Sequence, residues 1–307
     1  ALSANKSLPW SIELLECFEE NWHWEALSKN PDLPWSAELI SRFEHRWHWP
    51  LLSANRGVPW SANLIGRYRD RWFWNALSTN PSLPWSVELI EQFESAWHWG
   101  YPGCPMSLFG GLSHNSALPW SLSLLERFED RWNWTGLSAN EGLPWSPGLI
   151  QNFEERWWWY NLSANKTLPW SLELIERFKD RWDWKQLSEN ARLPWSVSLI
   201  EHFKDQWNWG EHYDPDYPFC PGLSRNPGLP WSPDLIERFE DRWYWDSLSD
   251  VETIPWTAAL IQRYESRWEW TGRYCPQKGL WNNAGVCFSI ELIDRFTHHL
   301  SPCVFSD

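Results

Sequence analysis

Methionine, cysteine and positive charge are all scarce in this chain. Its 307 residues include one Met, six Cys and 26 Lys or Arg against 40 Asp or Glu, which gives a net charge of −14 at neutral pH. So acidic a chain is poorly suited to the phosphate backbone of nucleic acids, and we expect no nucleic-acid partner. No apolar run reaches the roughly 18–20 residues needed to cross a bilayer, so we expect no membrane insertion.

Catalytic motifs are missing as well. The sequence has no phosphate-binding glycine loop, no Gly-x-Ser-x-Gly and no His-Glu-x-x-His. Carboxylates are plentiful, but they recur at a fixed period, which is typical of a surface rather than of one catalytic pair. We therefore predict that the protein is not an enzyme and needs no cofactor, apart from a zinc ion considered below.

Tryptophan, by contrast, is abundant, with 32 residues. Most of them belong to a 25-residue unit that recurs about eleven times. Its Pro-Trp marker has Trp at positions 10, 35, 60, 85, 120, 145, 170, 195, 231 and 256, and a degraded copy begins near Ser289. A fixed period of this length indicates stacked repeats, in which no unit buries its apolar face alone. We predict one continuous array over residues 1–307.

Each repeat contains two helical signals. Ser11 precedes an apolar pattern and is typical of an N-cap, and the four-residue spacing from Trp10 to Trp22 predicts a helix of roughly eleven residues. A short second helix or 3₁₀ turn should follow from Trp24 to Leu27, with Asn30 as a left-handed cap. Without strand signals, these elements predict an all-α fold, an α-solenoid of right- or left-handed superhelical twist with about eleven units.

Part of the unit resembles a known repeat. The block Leu-Ser-Lys-Asn-Pro-Asp-Leu-Pro at residues 27–34, followed by Glu38-Leu39-Ile40, is similar to the leucine-rich variant repeat, a HEAT-like family. This resemblance implies alternating α and 3₁₀ elements in a superhelix. Some members of the family carry an iron–sulfur cluster on N-terminal cysteines. Here only Cys17 lies near the start, so the resemblance does not extend to the cluster, and the Trp-x-Trp element is not part of the family pattern.

Three insertions interrupt the period, at residues 100–110, 210–221 and 271–287. All fall between Trp-x-Trp and the next Leu-Ser-x-Asn, and insertions at one position of a repeat often mark a binding face. Three of their tyrosines are candidate binding residues: Tyr101, Tyr217 and Tyr274.

Five of the six cysteines lie in these insertions or in the tail: Cys104, Cys220, Cys275, Cys287 and Cys303. They could be inert loop residues, or Cys275 and Cys287 could form a disulfide in an oxidising compartment. Such a bond would favour an extracellular or cell-surface location over the cytoplasm. Alternatively, Cys275, Cys287 and Cys303 could bind zinc together with His298 or His299, although their spacing matches no Cys-x₂-Cys knuckle.

The two ends of the chain differ. Residues 288–307 form a degenerate unit that we interpret as a C-terminal cap, in which His298-His299-Leu300 replaces Trp-x-Trp. Residues 1–5 match the interior of a repeat and show no such cap. We expect either a cap upstream of residue 1 or stacking of this end on another chain.

Two sets of positions vary along the solenoid. The residue between the second and third tryptophan of each repeat, here called the variable row, is a candidate ligand surface: His23, His48, Phe73, His98, Asn133, Trp158, Asp183, Asn208, Tyr244 and Glu269. The alternative is that this row is simply solvated. Arginines also recur beside acidic residues, as at Arg46, Arg131 and Arg156, and predict an ion-pair ladder along the stack.

The sequence therefore predicts a non-enzymatic scaffold that presents an extended surface to a protein partner or to copies of itself. One alternative is a solenoid that binds carbohydrate or peptide through the aromatic members of the variable row. Another is a metal-binding module formed by the terminal Cys and His residues.

Overall fold

The computed structural model describes residues 2–100, 110–210, 222–271 and 279–299. All regular elements in these ranges are helical, and no β-strand occurs among them, which confirms the predicted all-α solenoid. The chain divides into two compact segments, Ala1–Trp158 and Trp159–Asp307, each built from the same repeat. No helix in the described ranges is long and apolar enough to cross a membrane.

Each repeat opens with a short first helix. Its N-cap is the predicted serine in all repeats but one, where Thr257 takes its place. At Ser36, Oγ accepts a hydrogen bond of 3.0 Å from the backbone N–H of Leu39. The first helices are Ile12–Cys17, Ala37–Arg42, Ala62–Arg67, Val87–Gln92, Leu122–Arg127, Pro147–Asn152, Leu172–Arg177, Val197–His202, Pro233–Arg238, Ala258–Arg263 and Ile290–Phe296.

A second helix follows the Trp-x-Trp element and, within each segment, stacks on the second helices of neighbouring repeats. The α-helical examples are Trp24–Lys29, Trp49–Ser53, Trp74–Thr79, Gly111–His114, Trp134–Ala139, Trp159–Ala164, Trp184–Glu189 and Trp245–Leu248. The 3₁₀ examples are Leu2–Ala4, Leu223–Arg225 and Leu280–Asn282, and two further 3₁₀ turns follow first helices at Glu19–Asn21 and Thr297–His299.

The predicted eleven-residue first helix is wrong in length, because most first helices have six residues. The helix ends where Phe43 leaves helical geometry, at φ −112° and ψ 29°. The four-residue spacing nevertheless continues, because a turn follows in which the N–H of Trp47 donates to the carbonyl of Phe43 at 3.3 Å. A helix followed by such a turn has the same apolar periodicity as one longer helix.

Aromatic rings join successive repeats. The third tryptophan of one repeat, Trp24, packs against Phe43 and Trp47 of the next, with ring centroids 5.1 and 5.0 Å apart. Such pairs contribute about 0.5–1.5 kcal/mol beyond the area they bury. Phe43, which lies under this tryptophan, is 2% exposed. The third tryptophan of one repeat therefore helps to cover the Phe of the next.

The three indole N–H groups of a repeat all find backbone carbonyls, two within that repeat and one at the end of the preceding repeat. Trp35 donates to the carbonyl of Asn30 at 2.9 Å, Trp47 to Ile40 at 3.2 Å and Trp49 to Glu44 at 3.2 Å. Backbone carbonyls therefore satisfy the framework tryptophans, and the serine hydroxyls and asparagine amides remain available for bonds between repeats.

A buried serine makes the first of these bonds between repeats. Ser28 Oγ donates to the carbonyl of Trp24 at 2.7 Å and accepts from the N–H of His48, in the next repeat, at 3.0 Å. The same bond recurs one repeat later, where the N–H of Phe73 donates to Ser53 Oγ at 2.9 Å. One hydroxyl thus closes the second helix of its own repeat and fixes the start of the following one.

A buried asparagine makes the second bond between repeats. Asn55 donates from Nδ2 to the carbonyls of Ser28 and Asn30 in the preceding repeat, at 2.9 and 3.1 Å, and its Oδ1 accepts from Gly57 N–H at 2.8 Å. Asn80, Asn190 and Asn283 bridge in the same way. The predicted left-handed conformation is wrong, because Asn30 has φ −75° and ψ 113° and no residue other than glycine has positive φ in the described ranges.

We predict that Asn55→Ala lowers the free energy of unfolding by about 3 kcal/mol, because several buried groups lose their partners and each costs about 1–3 kcal/mol. Asn63→Ala, an exposed change in the first helix of the next repeat, should stay within about 0.5 kcal/mol of the parent. Urea denaturation followed by circular dichroism measures both. Equal shifts for the two variants would contradict a structural role for the asparagine bridges.

Candidate functional sites

The variable row lies at the start of the second helices. In four repeats the side chain caps that helix: His23 and His48 accept through Nδ1, and Asn133 and Asp183 accept through Oδ1. The Asp183 bond to Gln186 N–H measures 2.9 Å. The backbone N–H of each of these residues is bound by the serine of the preceding repeat. Capping is thus a structural role that the sequence analysis did not assign to this row.

Aromatic members of the row depart from this pattern. Phe73 and Tyr244 make no side-chain cap hydrogen bond. Phe73 is 44% exposed and Trp158 is 51% exposed. The tryptophans that precede them in the sequence, Trp72 and Trp157, are each 4% exposed. Tyr244 differs, because its ring packs against Gly210 of the preceding repeat. His98, whose pKa is lowered by burial, is half-buried. Phe73 and Trp158 are therefore the row members that present large apolar rings to solvent.

The first two insertions lie within the first turn of the second helix, and the hydrogen bond that closes this turn is still made by the residues on either side. In a regular repeat Leu27 N–H donates to the carbonyl of His23 at 3.1 Å. Across the first insertion Leu112 N–H donates to His98 O at 2.8 Å, and across the second Leu223 N–H donates to Asn208 O at 2.7 Å. The described residues that flank each of these two insertions therefore lie next to the variable row.

A glycine makes this return possible at the first insertion. Gly111 has φ 60°, and a Cβ atom there would lie 2.3 Å from the carbonyl oxygen of His98. The third predicted insertion, residues 271–287, includes regular elements at its end. Leu280 N–H donates to Glu269 O at 2.8 Å, and Asn283 makes the asparagine bridge, so residues 280–287 follow the repeat.

Several predicted site residues lie outside the described ranges: Tyr101, Tyr217, Tyr274, Cys104, Cys220, Cys275 and Cys303. Of the cysteines within the ranges, Cys17 and Cys287 are exposed and carry free thiols.

The arginines form the expected ladder between repeats within each segment. Arg156 contacts Glu129 and Asp130 of the preceding repeat, both at 3.1 Å, and Arg242 contacts Asp205 at 2.7 Å. Arginines at this position also lie over the third tryptophan of the preceding repeat, as Arg242 does over Trp209 at 5.9 Å. These ion pairs are exposed, and each contributes about 0–1 kcal/mol.

The last repeat replaces this arginine with histidine. Counted from the capping Ser289, His298 and His299 occupy the positions of His45 and Arg46, so they do not replace Trp-x-Trp as the sequence analysis proposed. His299 stacks on Trp270 with centroids 4.4 Å apart and planes 3° from parallel. It therefore takes the place over the third tryptophan that arginine has elsewhere.

Both histidines meet a carboxylate that the sequence analysis missed. Nε2 of His298 and Nε2 of His299 lie 2.9 and 3.1 Å from Oε1 of Glu265 in the preceding repeat. The imidazoles of His299 and His298 hold the pKa of the Glu265 carboxyl below its usual range. Within the described ranges these three residues form a group whose geometry could hold a metal ion, and Cys287 does not belong to it.

Comparison with protein-family models, with curated proteins and with solved structures finds no significant match. The geometry alone therefore establishes the class, a tryptophan-rich tandem array of helical repeats. The leucine-rich variant identity stays a prediction.

We predict that Phe73→Asn is more stable to unfolding than Phe73→Ala by about 1 kcal/mol, because asparagine supplies the missing N-cap acceptor. The comparison removes the aromatic ring in both variants and isolates the cap. Urea midpoints measured side by side test it. If the two variants unfold at the same midpoint, the variable row does not act as the cap of the second helix.

Proposed function

We propose that the chain is a non-enzymatic repeat scaffold that binds a protein partner through the variable row. The observation that carries this proposal is the exposure of Phe73 and Trp158, at 44% and 51%, in a row where other members cap a helix. Phe73 makes no cap hydrogen bond to its helix, and the lack of a cap costs about 1 kcal/mol, while much of its ring stays exposed. Exposed aromatic side chains are the type that protein interfaces bury as anchors.

The spacing of these rings favours a macromolecular partner over a small saccharide. Two repeats, with His98 and Asn133 in the row, separate Phe73 from Trp158. With packed helices roughly 8–10 Å apart, the two rings lie on the order of 25 Å from each other. A sugar ring covers one aromatic ring, whereas a protein surface can contact both. Carbohydrate or peptide binding through single rings remains the second candidate.

Charge defines the partner further. Acidic residues outnumber basic ones by 40 to 26, and the arginine ladder directs many of the cations at carboxylates of the chain itself, as Arg156 and Arg242 illustrate. A partner with a basic contact surface would be steered towards the scaffold, with association that weakens at high salt.

Two related hypotheses belong to this proposal. The partner could be a second copy of the chain, which would make self-assembly the function. The likeness of residues 27–40 to the leucine-rich variant repeat supports a binding role of the kind that solenoids present along stacked units.

We predict that the double variant Phe73→Ala, Trp158→Ala loses partner binding at least about tenfold, as expected when interface anchors are truncated. Sedimentation velocity across a concentration series first tests for self-association of the parent. Affinity capture with parent and double variant as baits then identifies proteins retained only by the parent, and titration with the purified protein measures the loss.

The matched control is Leu122→Ala, which removes a side chain of similar exposure, 40%, from a first helix. It should bind like the parent. The proposal would be contradicted if the control and the double variant reduced binding equally. It would also be contradicted if the parent did not self-associate and retained the same proteins as the double variant. Variant-sensitive binding to a glycan array instead would favour the carbohydrate hypothesis.

A further inference from the structure

The cluster at the last repeat brings three potential ligand atoms together without a permanent cation. Glu265 Oε1, His298 Nε2 and His299 Nε2 all lie within 4.8 Å of one another. A neutral imidazole has one N–H and one nitrogen with a lone pair, so each Nε2 either donates its hydrogen to the Glu265 carboxylate or, in the other tautomer, presents a lone pair. In the second state a metal ion bound among the three atoms takes the place of the protons.

A second copy of the arrangement within the chain shows what is unusual here. Glu19 of the first repeat is approached by two residues of the second, His45 Nε2 at 3.3 Å and Arg46 Nε at 2.9 Å. These residues occupy the positions of Glu265, His298 and His299. The guanidinium of Arg46 is always charged and only donates hydrogen bonds, so it neutralises the carboxylate and cannot bind a metal. Exchange of arginine for histidine converts an ion pair into a set of metal ligands.

The donor set and its geometry fit a borderline divalent ion. Zn²⁺ binds His nitrogen at about 2.0–2.1 Å and carboxylate oxygen at about 2.0–2.2 Å, which places tetrahedral ligands roughly 3.4 Å apart. The two nitrogens lie 2.9 and 3.1 Å from Glu265 Oε1, so a small outward shift of the rings admits the ion. Three protein ligands leave the fourth position to water.

The site is also held in place. The ring of His299 stacks on Trp270, and the helix before the histidines is anchored by Phe296, which is fully buried and packs on the same tryptophan at 5.0 Å. Side-chain exposures of 26% for His299 and 58% for His298 leave a path for the ion. Ligands on rigid supports lose little entropy when they bind a metal.

We propose that Glu265, His298 and His299 form a binding site for a divalent transition-metal ion of the Zn²⁺ class, which ties the last repeat to the one before it. A bound ion bridges two repeats, so it stabilises this end of the array by mass action.

The test uses the full chain, stripped with chelator and dialysed. Zn²⁺ is titrated against a chromophoric competitor, and Co²⁺ absorption reports the ligand geometry. The variant His299→Arg restores the residue type that other repeats carry at this position and is expected to fold. It should lower affinity at least about tenfold, and it should abolish the rise in melting temperature that Zn²⁺ gives the parent. Glu265→Gln should do the same.

The control is His202→Ala. His202 Nε2 lies 3.0 Å from Glu176 Oε2 but has no histidine neighbour, so its loss should leave Zn²⁺ binding unchanged. A gain-of-site variant, Arg46→His, should add one equivalent of bound Zn²⁺ beside His45. The proposal is overturned if the parent binds no Zn²⁺, if His299→Arg binds it as the parent does, or if Arg46→His adds none.

Discussion

The bond that the rest of the structure depends on is the one that crosses each border between repeats. A buried serine hydroxyl and a buried asparagine amide, as in Ser28 and Asn55, each bond to backbone groups on both sides of that border. Buried polar groups are costly unless they are paired, so a repeat that shifted relative to its neighbour would leave several of them unsatisfied. This requirement keeps the repeat spacing constant and lets the insertions enter only at the first turn of the second helix, where Leu112 and Leu223 can still bond across them.

Local signals made part of the fold predictable from the sequence. The serine N-cap, the short second helix and the repeat number follow from residues near one another, and the structure agrees. The length of the first helix does not follow, because the turn from Phe43 to Trp47 keeps a helical spacing of four residues without helical backbone. The extended backbone of Asn30 does not follow from the sequence either. Asparagine has this conformation where it bonds to the preceding repeat, and the residues of a single repeat do not show that contact.

The candidate sites were predictable in position but not in role. The variable row stands out because it changes while its flanking tryptophans stay constant, yet variation alone does not reveal that His48 and Asp183 act as helix caps. Because four members of the row cap a helix, the aromatic members, whose rings cannot do so, need another explanation. A match of residues 298–300 to Trp-x-Trp does not reveal the role of Glu265, because only the register set by Ser289 places the two histidines opposite that carboxylate.

The last repeat shows why the framework and the chemistry of this protein can change independently. Phe296 keeps its contact with Trp270, and Ser289 keeps its cap, so the repeat is still positioned by the contacts that position all others. Within that fixed geometry the residue opposite the carboxylate is free to vary, because an exposed ion pair contributes about 0–1 kcal/mol. Arginine there gives a weak ion pair, as between Arg46 and Glu19. Histidine at the same place stacks on tryptophan, as His299 does on Trp270. Its ring nitrogen can also carry a lone pair, which the arginines of the ion-pair ladder do not offer to a metal ion.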